Sequence, residues 1–289
     1  MNQIANRWKD YEILDTGNKE KLERWNKIIL RRPDPVCIWP QADEDIWNTA
    51  DAVYHRSKSG GGSWEYKKQL KEFWTIGYRG LRFKISPTGF KHTGLFPEQA
   101  SNWDFIMDTI EASNRDDIRI LNLFAYTGAA TMAASKAGAK EVVHVDAAKG
   151  MVQWAKENME LSHLEHNTIR FIVDDVLKFV KREQRRGHTY HGIIMDPPSY
   201  GRGPKQELWK LEDNLYELIT ECEKLLDKDA LFFLISCYTT GFSCTTLEQA
   251  LNRSELSKRE GTIETGENLL PVTSGGVLPC GIFGRWKSK

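Results

Sequence analysis

The sequence contains no apolar run that approaches the length of a membrane span, which takes about 20 consecutive apolar residues in a helix. Its first seven residues lack the apolar stretch of a secretory signal peptide. There are only five cysteines, an odd number without paired spacing, so we expect reduced thiols. No Cys/His cluster has the spacing of a zinc site, and we expect no metal. These absences predict a cytoplasmic protein that is not embedded in a membrane.

Net charge is also absent, since 40 lysines and arginines balance 40 aspartates and glutamates. The basic residues are nevertheless unevenly placed: residues 56–92 carry nine of them with two acids, and residues 175–210 carry eight with four acids. Segregated charge of this kind can form a local basic surface for nucleic acid, and a solvated face is the alternative. Hydrophobic residues make up 40% of the chain, which supports a packed core.

The first part of the chain shows no alternation of strands and helices. Residues 31–35, Arg-Arg-Pro-Asp-Pro, are typical of a loop, and residues 73–78 and 81–85 predict two short strands. We therefore predict a small β-containing extension over residues 1–95, with RNA contact as a possible role, and a catalytic domain over residues 96–289.

From Ile118 onward, apolar runs that predict strands alternate with segments of helical spacing. The predicted strands are 118–124, 141–145, 168–173, 190–195, 231–236, 261–265 and 276–286. The predicted helices are 129–137, 149–161, 176–186, 208–226 and 246–256. Repeated β-α units imply a doubly wound α/β fold with a mostly parallel sheet of seven strands and helices on both faces.

Three successive strand ends carry glycine or acidic residues at the carboxyl edge of this sheet. The turn Phe124–Thr131 has one glycine and small residues, which would let a nucleotide-like ligand approach the backbone, and it lacks the spaced glycines of a dinucleotide site. Asp146 ends the next strand and can accept both hydroxyls of a ribose. Asp174 and Asp175 follow the third strand; one of them could accept a hydrogen bond from an adenine amine, and an N-cap is the alternative for Asp175.

A fourth strand end carries Asp196-Pro197-Pro198-Ser199-Tyr200. The prolines donate no backbone N–H, so this rim presents carbonyls and one carboxylate, which suit a base edge or an amine. Tyr200 could stack on an unpaired base, and a loop aromatic that covers the core is the alternative. For the whole motif, the alternative is an ordinary turn that ends a strand.

The ordered set of turn, ribose acid, adenine acid and Asp-Pro-Pro resembles a class I S-adenosylmethionine-dependent methyltransferase, with its seven-stranded methyltransferase sheet. Residues 121–128 are similar to the first motif of the bacterial large-subunit ribosomal RNA (cytosine-C5) methyltransferase family. Residues 92–99 resemble the segment Lys-Thr-Gly-Phe-Phe-x-Asp-Gln-Arg, which lies over the cofactor in that family; here Glu98 replaces Asp and Ala100 replaces Arg. The resemblance implies RNA, most of all ribosomal RNA, as partner and S-adenosylmethionine as cofactor. The cofactor-binding residues that it implies are Phe124, Tyr126, Thr127, Gly128, Asp146, Asp174, Asp175, Asp196, Thr93, Phe96 and Gln99.

Two acceptor chemistries remain open. Cys237 ends the fifth strand at the position where the cytosine enzymes of that family place a nucleophilic cysteine, and a buried structural cysteine is the alternative. The other chemistry is transfer to an exocyclic amine, for which Asp196 and Pro197 supply acceptors. Enzymes of that kind place a stacking aromatic directly after the two prolines, where this chain has Ser199, and Tyr200 comes next. The catalytic candidates are therefore Asp196, Pro197, Cys237 and Tyr200. A methyltransferase for small molecules or proteins on the same fold is the alternative function.

Basic residues beside this site suit contacts with RNA phosphates. The loop 201–205 contains Arg202 and Lys205, and the predicted helix 176–186 carries five more basic residues. Residues 1–70 show no match to the RNA-binding module of the family that the chain resembles. The sequence sets neither the target nucleotide nor the oligomeric state.

Overall fold

A computed structural model describes residues 1–57, 61–89, 91–202, 208–238 and 241–289, and the side chains of all of these except residues 202 and 208. The chain divides into two compact units. The sheet unit comprises Met1–Gln3, Asn102–Asn268 and Gly281–Lys289, and the extension unit comprises Ile4–Ser101 and Leu269–Cys280. Both units are discontinuous in sequence, whereas the predicted division at residue 95 describes two continuous domains.

The described residues form seventeen strands and six α-helices. The strands before residue 100 are β1 (Gln3–Ile4), β2 (Tyr11–Gly17), β3 (Glu20–Trp25), β4 (Ile28–Pro33), β5 (Ala52–Arg56), β6 (Gly62–Tyr66), β7 (Trp74–Tyr78) and β8 (Leu81–Ile85). The later strands are β9 (Arg119–Leu123), β10 (Glu141–Asp146), β11 (Ile169–Val173), β12 (Gly192–Met195), β13 (Tyr200–Arg202), β14 (Leu208–Lys210), β15 (Phe232–Cys237), β16 (Gly261–Pro271) and β17 (Val277–Ser288). The helices are α1 (Ala100–Ala112), α2 (Ala129–Lys136), α3 (Lys149–Leu161), α4 (Val176–Arg185), α5 (Leu211–Glu223) and α6 (Cys244–Asn252). No helix in these described ranges is long and apolar enough to span a membrane.

The predicted α/β fold with a mostly parallel sheet is confirmed. The strand order is β1-β16-β17-β15-β12-β9-β10-β11; β12, β9, β10 and β11 run parallel, β15 joins them in parallel, and β17 pairs with β15 in antiparallel fashion. The sheet has eight strands rather than seven because the short strand β1 adds to its edge beside β16. The chain moves outward from β9 through β10 to β11 and then returns to β12 on the other side. The carboxyl ends of β9 and β12 therefore form a topological switch point, where open α/β sheets bind their ligands.

Helices cover both faces of this sheet because strand residues alternate between faces. Leu121 and Ile193 belong to the cluster that includes α4 and α5, whereas Ile120 and Ile194 belong to the cluster that includes α1. Gly192 is required at the start of β12, since a Cβ there would lie 2.6 Å from the Phe232 ring.

Two predicted helices begin or end elsewhere. The segment 208–226 begins as β14, whose Lys210 pairs with Tyr200 of β13, and α5 starts only at Leu211. The helix predicted over residues 246–256 corresponds to α6, which ends at Asn252. It ends there because Ser254 has an extended backbone (φ −90°, ψ 173°) before a 3-10 turn. In both cases pairing or capping with neighbouring residues overrides helical spacing.

The predicted β-containing extension is confirmed, and it is larger than the two strands that the sequence located. A five-stranded sheet, β2-β3-β4-β5-β6, precedes the β7–β8 hairpin. The prediction of a loop over residues 31–35 is wrong for residues 31–33, which are the end of β4. The tip between β16 and β17 also belongs to this unit, where the Thr273 N–H donates to the Ile13 carbonyl (2.8 Å).

Buried charge explains why the sequence conceals these strands. Glu23 of β3 is fully buried, and it accepts hydrogen bonds from Arg32 of β4 (2.6 Å) and from the Tyr11 hydroxyl of β2 (2.6 Å). Lys21 forms an ion pair with Asp34 (3.2 Å) beside them. We call these five residues the Glu23 cluster. Because charged residues occupy inward positions, the alternation of apolar and polar residues that marks a half-buried strand is lost.

Candidate functional site

The turn after β9 has an unusual backbone. Phe124 (φ 53°), Tyr126 (φ 49°) and Gly128 (φ 83°) all lie in the left-handed region, which non-glycine residues rarely adopt. The turn is held by the Ala125 N–H, which donates to the Val145 carbonyl (3.0 Å), and by the Gly128 N–H, which donates to the Ala125 carbonyl (2.9 Å). Strained backbone of this kind is maintained where the surrounding structure fixes it, most often at ligand sites.

Gly128 is the N-cap of α2, and any side chain at this position would be strained, because its φ is 83°. A Cβ at this position would lie 3.0 Å from the Ala155 Cβ and 3.2 Å from the Met132 Cε. The turn therefore packs tightly against the protein on its inner side, and the start of α2 presents backbone N–H groups at the carboxyl edge of the sheet.

A chain of buried polar side chains, which sequence reasoning missed, lies beneath the turn. The Asn122 amide donates to the Thr131 hydroxyl (2.9 Å), and that hydroxyl is 2.9 Å from Nδ1 of His144. The Asn158 amide donates to the Thr127 carbonyl (2.9 Å) and so fixes the turn itself. Burial lowers the pKa of His144 to about 3, so its ring is neutral at physiological pH. The sequence does contain a signal for this chain of side chains, because Asn122 and His144 are polar residues within two otherwise apolar strands.

Asp146, at the end of β10, faces the same turn. One carboxylate oxygen accepts the Tyr126 N–H (2.9 Å), and the other accepts the Ala148 N–H (2.8 Å). A carboxylate oxygen can accept more than one hydrogen bond, so this half-buried group is oriented and retains acceptor capacity. The remaining acceptor positions suit the two hydroxyls of a ribose, and that role stays a prediction.

The two acids after β11 have local partners. Asp174 forms an ion pair with Arg182 (2.7 Å) and accepts the Asp175 N–H (2.8 Å). Asp175 is the N-cap of α4 and accepts the Lys178 N–H (2.9 Å), which is the alternative that the sequence left open. Their role as acceptors for an adenine amine stays a prediction.

The Asp196 rim follows β12 and is braced from two sides. Asp196 is half-buried, Pro197 is buried, and Tyr200 is 55% exposed. The Ser199 hydroxyl donates to the Tyr238 carbonyl (2.6 Å), which ties the rim to the end of β15.

Trp209 braces the other side of the rim, and the sequence placed it wrongly in a helix. Its indole N–H donates to the Pro198 carbonyl (2.7 Å), and its ring lies 5.7 Å from the ring of Phe124. The turn after β9 and the Asp196 rim are thus joined by an aromatic pair.

Cys237 lies at the end of β15, as predicted, but inside the core. It is 2% exposed, and burial together with the charge of Asp196 raises the pKa of its thiol. Nucleophilic attack requires an accessible thiolate. Across the part of the chain that the structure describes, no group of three His, Cys, Asp or Glu side chains could hold a metal ion.

Three of the predicted cofactor residues belong to the extension unit. Thr93 is fully buried, and its carbonyl accepts the Ser86 N–H (3.1 Å). The Phe96 ring lies 5.4 Å from the His92 ring, and the Gln99 N–H donates to the Phe96 carbonyl (3.1 Å). Their predicted role stays a prediction.

The basic residues predicted beside the site are largely paired with acids where the structure describes them. On α4 and just after it, Lys181 pairs with Glu217 (3.2 Å) and Arg186 with Glu183 (3.1 Å), in addition to the pair of Arg182. The side chain of Arg202 and all of residues 203–205 lie outside the described residues.

Comparisons with known proteins show the family to which the chain belongs. A family model described as S-adenosylmethionine-dependent methyltransferase matches residues 33–230. The SAM-dependent methyltransferase from Agrobacterium tumefaciens has a structure similar to this one, with a TM-score of 0.94, 34% identity, and coverage of 100% of this chain and 94% of that chain. A solved methyltransferase complexed with SAH shares the fold, with a TM-score of 0.77, 18% identity, and coverage of 97% of this chain and 76% of that chain. Ribosomal RNA large subunit methyltransferase K/L from Shewanella frigidimarina is 33% identical over 204 residues, which are 70% of this chain. The alignment spans 27% of that relative, so this chain corresponds to about a quarter of its length.

Proposed function

The chain belongs to the family of S-adenosylmethionine-dependent methyltransferases, and from this premise we propose that it methylates a base of RNA, with ribosomal RNA as the substrate class. The observation that carries the proposal is the pairing of β9 with β12, which brings the glycine turn and the Asp196 rim to neighbouring strand ends. The names of relatives that are ribosomal RNA methyltransferases support the choice of substrate. The proposed location is the cytoplasm.

The residues after β9 and β10 fit the cofactor. The strained backbone of residues 124–128 offers close approach to a ligand, and the oriented carboxylate of Asp146 offers acceptors for the two ribose hydroxyls. We assign the adenine amine to the side chains after β11, with Asp174 ahead of Asp175 because the latter caps α4. When bound, the cofactor supplies an electrophilic methyl group.

The rim after β12 then holds the acceptor base. The Asp196 carboxylate and the Pro197 carbonyl accept hydrogen bonds from an exocyclic amine, and Tyr200 stacks on the base from its exposed position. The methyl group would come from the sulfonium sulfur of the cofactor, whose bond to the methyl carbon breaks to leave S-adenosylhomocysteine as the amine nitrogen gains that carbon; the nitrogen would release one proton, for which the Asp196 carboxylate is the acceptor. The burial of Cys237 favours this chemistry over attack by a thiolate.

An Asp146→Ala variant tests the cofactor site. Hydrogen bonds to a charged acceptor contribute about 1.5–3 kcal/mol each, so we expect the Kd for S-adenosylmethionine to rise roughly tenfold or more. Isothermal titration calorimetry measures this change. Asp229→Ala, an exposed aspartate of the same unit, is the matched control and should bind the cofactor as the wild type does.

Labelled cofactor and deproteinised ribosomal RNA test the substrate. We expect label in RNA, and mass spectrometry of the nucleosides then identifies the methylated atom. If the purified protein binds S-adenosylmethionine but never labels RNA, while it labels a metabolite or a protein, the RNA proposal is wrong and the alternative acceptor class takes its place.

A further inference from the structure

The extension unit contains a cavity of about 580 Å³ that the cofactor and base sites do not use. Three segments line it: residues 7–10 before β2, the β3–β4 turn at Asn26, and the β7–β8 hairpin. This volume lies in the usual range of ligand sites. All of its lining residues belong to this one unit.

The cavity is positively charged. Its lining includes four cations, Arg7, Lys9, Arg79 and Arg82, against one carboxylate, that of Asp10. Arg7, Lys9 and Arg82 are exposed residues. The lining as a whole therefore attracts an anion.

The walls of the cavity are fixed by hydrogen bonds between the three segments. The Gly77 N–H donates to the Asp10 carboxylate (2.8 Å), which joins β7 to residues 7–10. The Asn26 amide donates to the Thr75 carbonyl (3.4 Å), and Arg24 donates to the Asn26 carbonyl (2.8 Å). A site whose walls are already connected loses little conformational entropy when a ligand binds.

The turn between β7 and β8 holds one of the cations in a special conformation. Arg79 (φ 46°) and Gly80 (φ 77°) are both left-handed, as a tight two-residue hairpin requires. Glycine, asparagine and aspartate are the usual residues in such turns, and an arginine there is uncommon. The conformation places the arginine at the tip of the hairpin, where it lines the cavity.

We propose that this cavity binds phosphates of the RNA backbone and so docks the substrate on the extension unit. The inference rests on the proposed function, since it assumes an RNA substrate. Backbone phosphates are the anions that supply most of the sequence-independent affinity for RNA, and arginine and lysine are their usual partners.

The test removes three charges at the cavity and compares them with three charges elsewhere on the same unit. The cavity variant is Arg7→Gln, Lys9→Gln, Arg82→Gln. The control variant is Lys27→Gln, Lys67→Gln, Lys71→Gln, whose lysines are exposed and do not line the cavity. The affinity of each protein for a short single-stranded RNA and for deproteinised ribosomal RNA is measured by fluorescence anisotropy across a range of salt concentrations.

We expect the cavity variant to lose RNA affinity by roughly tenfold or more at low salt, and its plot of log K against log salt to flatten by about two units, since each phosphate contact contributes about 0.7–0.9. The control variant should change little. Cofactor binding by calorimetry and the midpoint of thermal unfolding should match the wild type in both variants. Arg82→Lys, which keeps the charge, should keep the salt dependence.

Equal losses in the two triple variants, or no loss in either, would overturn the inference. Loss of binding to anionic phospholipid vesicles instead of RNA would overturn it as well. The two proposals fail differently: a wild type that methylates RNA while the cavity variant matches its control contradicts only the cavity site. A wild type that binds no RNA contradicts the proposed function too.

Discussion

Replacing Glu23 by Gln removes the central charge of the Glu23 cluster without changing its volume. Burial would raise the pKa of this carboxyl, but the charges of Arg32 and Lys21 and the hydrogen bonds from Arg32 and Tyr11 lower it to about 2. The neutral variant leaves the buried Arg32 without its carboxylate partner, whereas Lys21 keeps its ion pair with Asp34. Breaking a buried pair in this way costs about 3–5 kcal/mol, so we expect the extension unit to lose stability on that order.

The same pKa gives an independent estimate. A carboxyl whose pKa is about 2 when folded, against 4.5 as the ordinary value, contributes on the order of 3 kcal/mol above the ordinary pKa. Because the folded pKa is the lower one, this contribution is complete above about pH 4.5 and disappears as the pH falls towards 2. The loss of stability in the Glu23→Gln variant is therefore expected at neutral pH.

Hydrogen exchange of the peptides that span β2 to β4 is measured across a series of urea concentrations. It reports the free energy of unfolding of this unit alone. Glu65→Gln is the matched control, since its ion pair with His55 (2.7 Å) has side chains that are 56% and 57% exposed. We expect less than about 1 kcal/mol from that exposed pair. Adding Arg32→Met to Glu23→Gln should recover part of the loss because it removes one unpaired charge. If Glu23→Gln costs no more than Glu65→Gln, the argument from buried charge is wrong.

Three further predictions concern the sheet unit. Gly128→Ala should lower both the midpoint of thermal unfolding and the affinity for the cofactor, because its Cβ would lie 3.0 Å from the Ala155 Cβ. Gly138→Ala is the control, since Gly138 also has a positive φ but lies in open space. It should lower the midpoint less and leave cofactor binding by calorimetry unchanged. The pKa of His144, lowered by burial to about 3, means that the unfolded chain binds one more proton between about pH 6.5 and 3, so stability falls as the pH falls through that window. A His144→Gln variant should show a slope of unfolding free energy against pH that is shallower by up to about 1.4 kcal/mol per pH unit, and an unchanged slope would contradict the assignment. Cys237→Ser should retain methyl transfer to RNA, and an inactive but folded variant that still binds cofactor would restore the thiolate mechanism.

The predictable parts of the fold are those whose signal is local. The helix predicted over residues 149–161 is α3 residue for residue, because its apolar face follows helical spacing from end to end. The strands of the parallel sheet were equally readable, since they are continuous apolar runs. The strand β14 was not, because residues 208–210 become extended only through pairing with β13. The Glu23 cluster hid β3 and β4 for a different reason, since charged residues face inward there.

The candidate site also has a part that the sequence predicts and a part that it does not. Asp146 and Asp196 could be located from the regular alternation of strands and helices, because each follows a predicted strand in the sequence. The buried polar side chains beneath the turn could not be located in this way. Their contacts depend on the strand register that pairs Asn122 of β9 with His144 of β10. The contact between Trp209 and Phe124 also depends on how distant segments meet. Sequence reasoning therefore located the strand ends that carry the proposed ligand contacts, and missed the groups that position them.

The choice between the two acceptor chemistries follows from a single carboxylate. Asp196 is half-buried at the end of β12, and β15, which ends in Cys237, is the neighbouring strand. Its negative charge raises the pKa of the thiol, in addition to the effect of burial, and so works against the thiolate that attack on a cytosine ring would require. The same charge assists an amine acceptor, because a carboxylate accepts both the hydrogen bond and the proton that the nitrogen releases. One group cannot favour both reactions in this geometry, and the proposal of an exocyclic amine rests on the reaction that Asp196 assists.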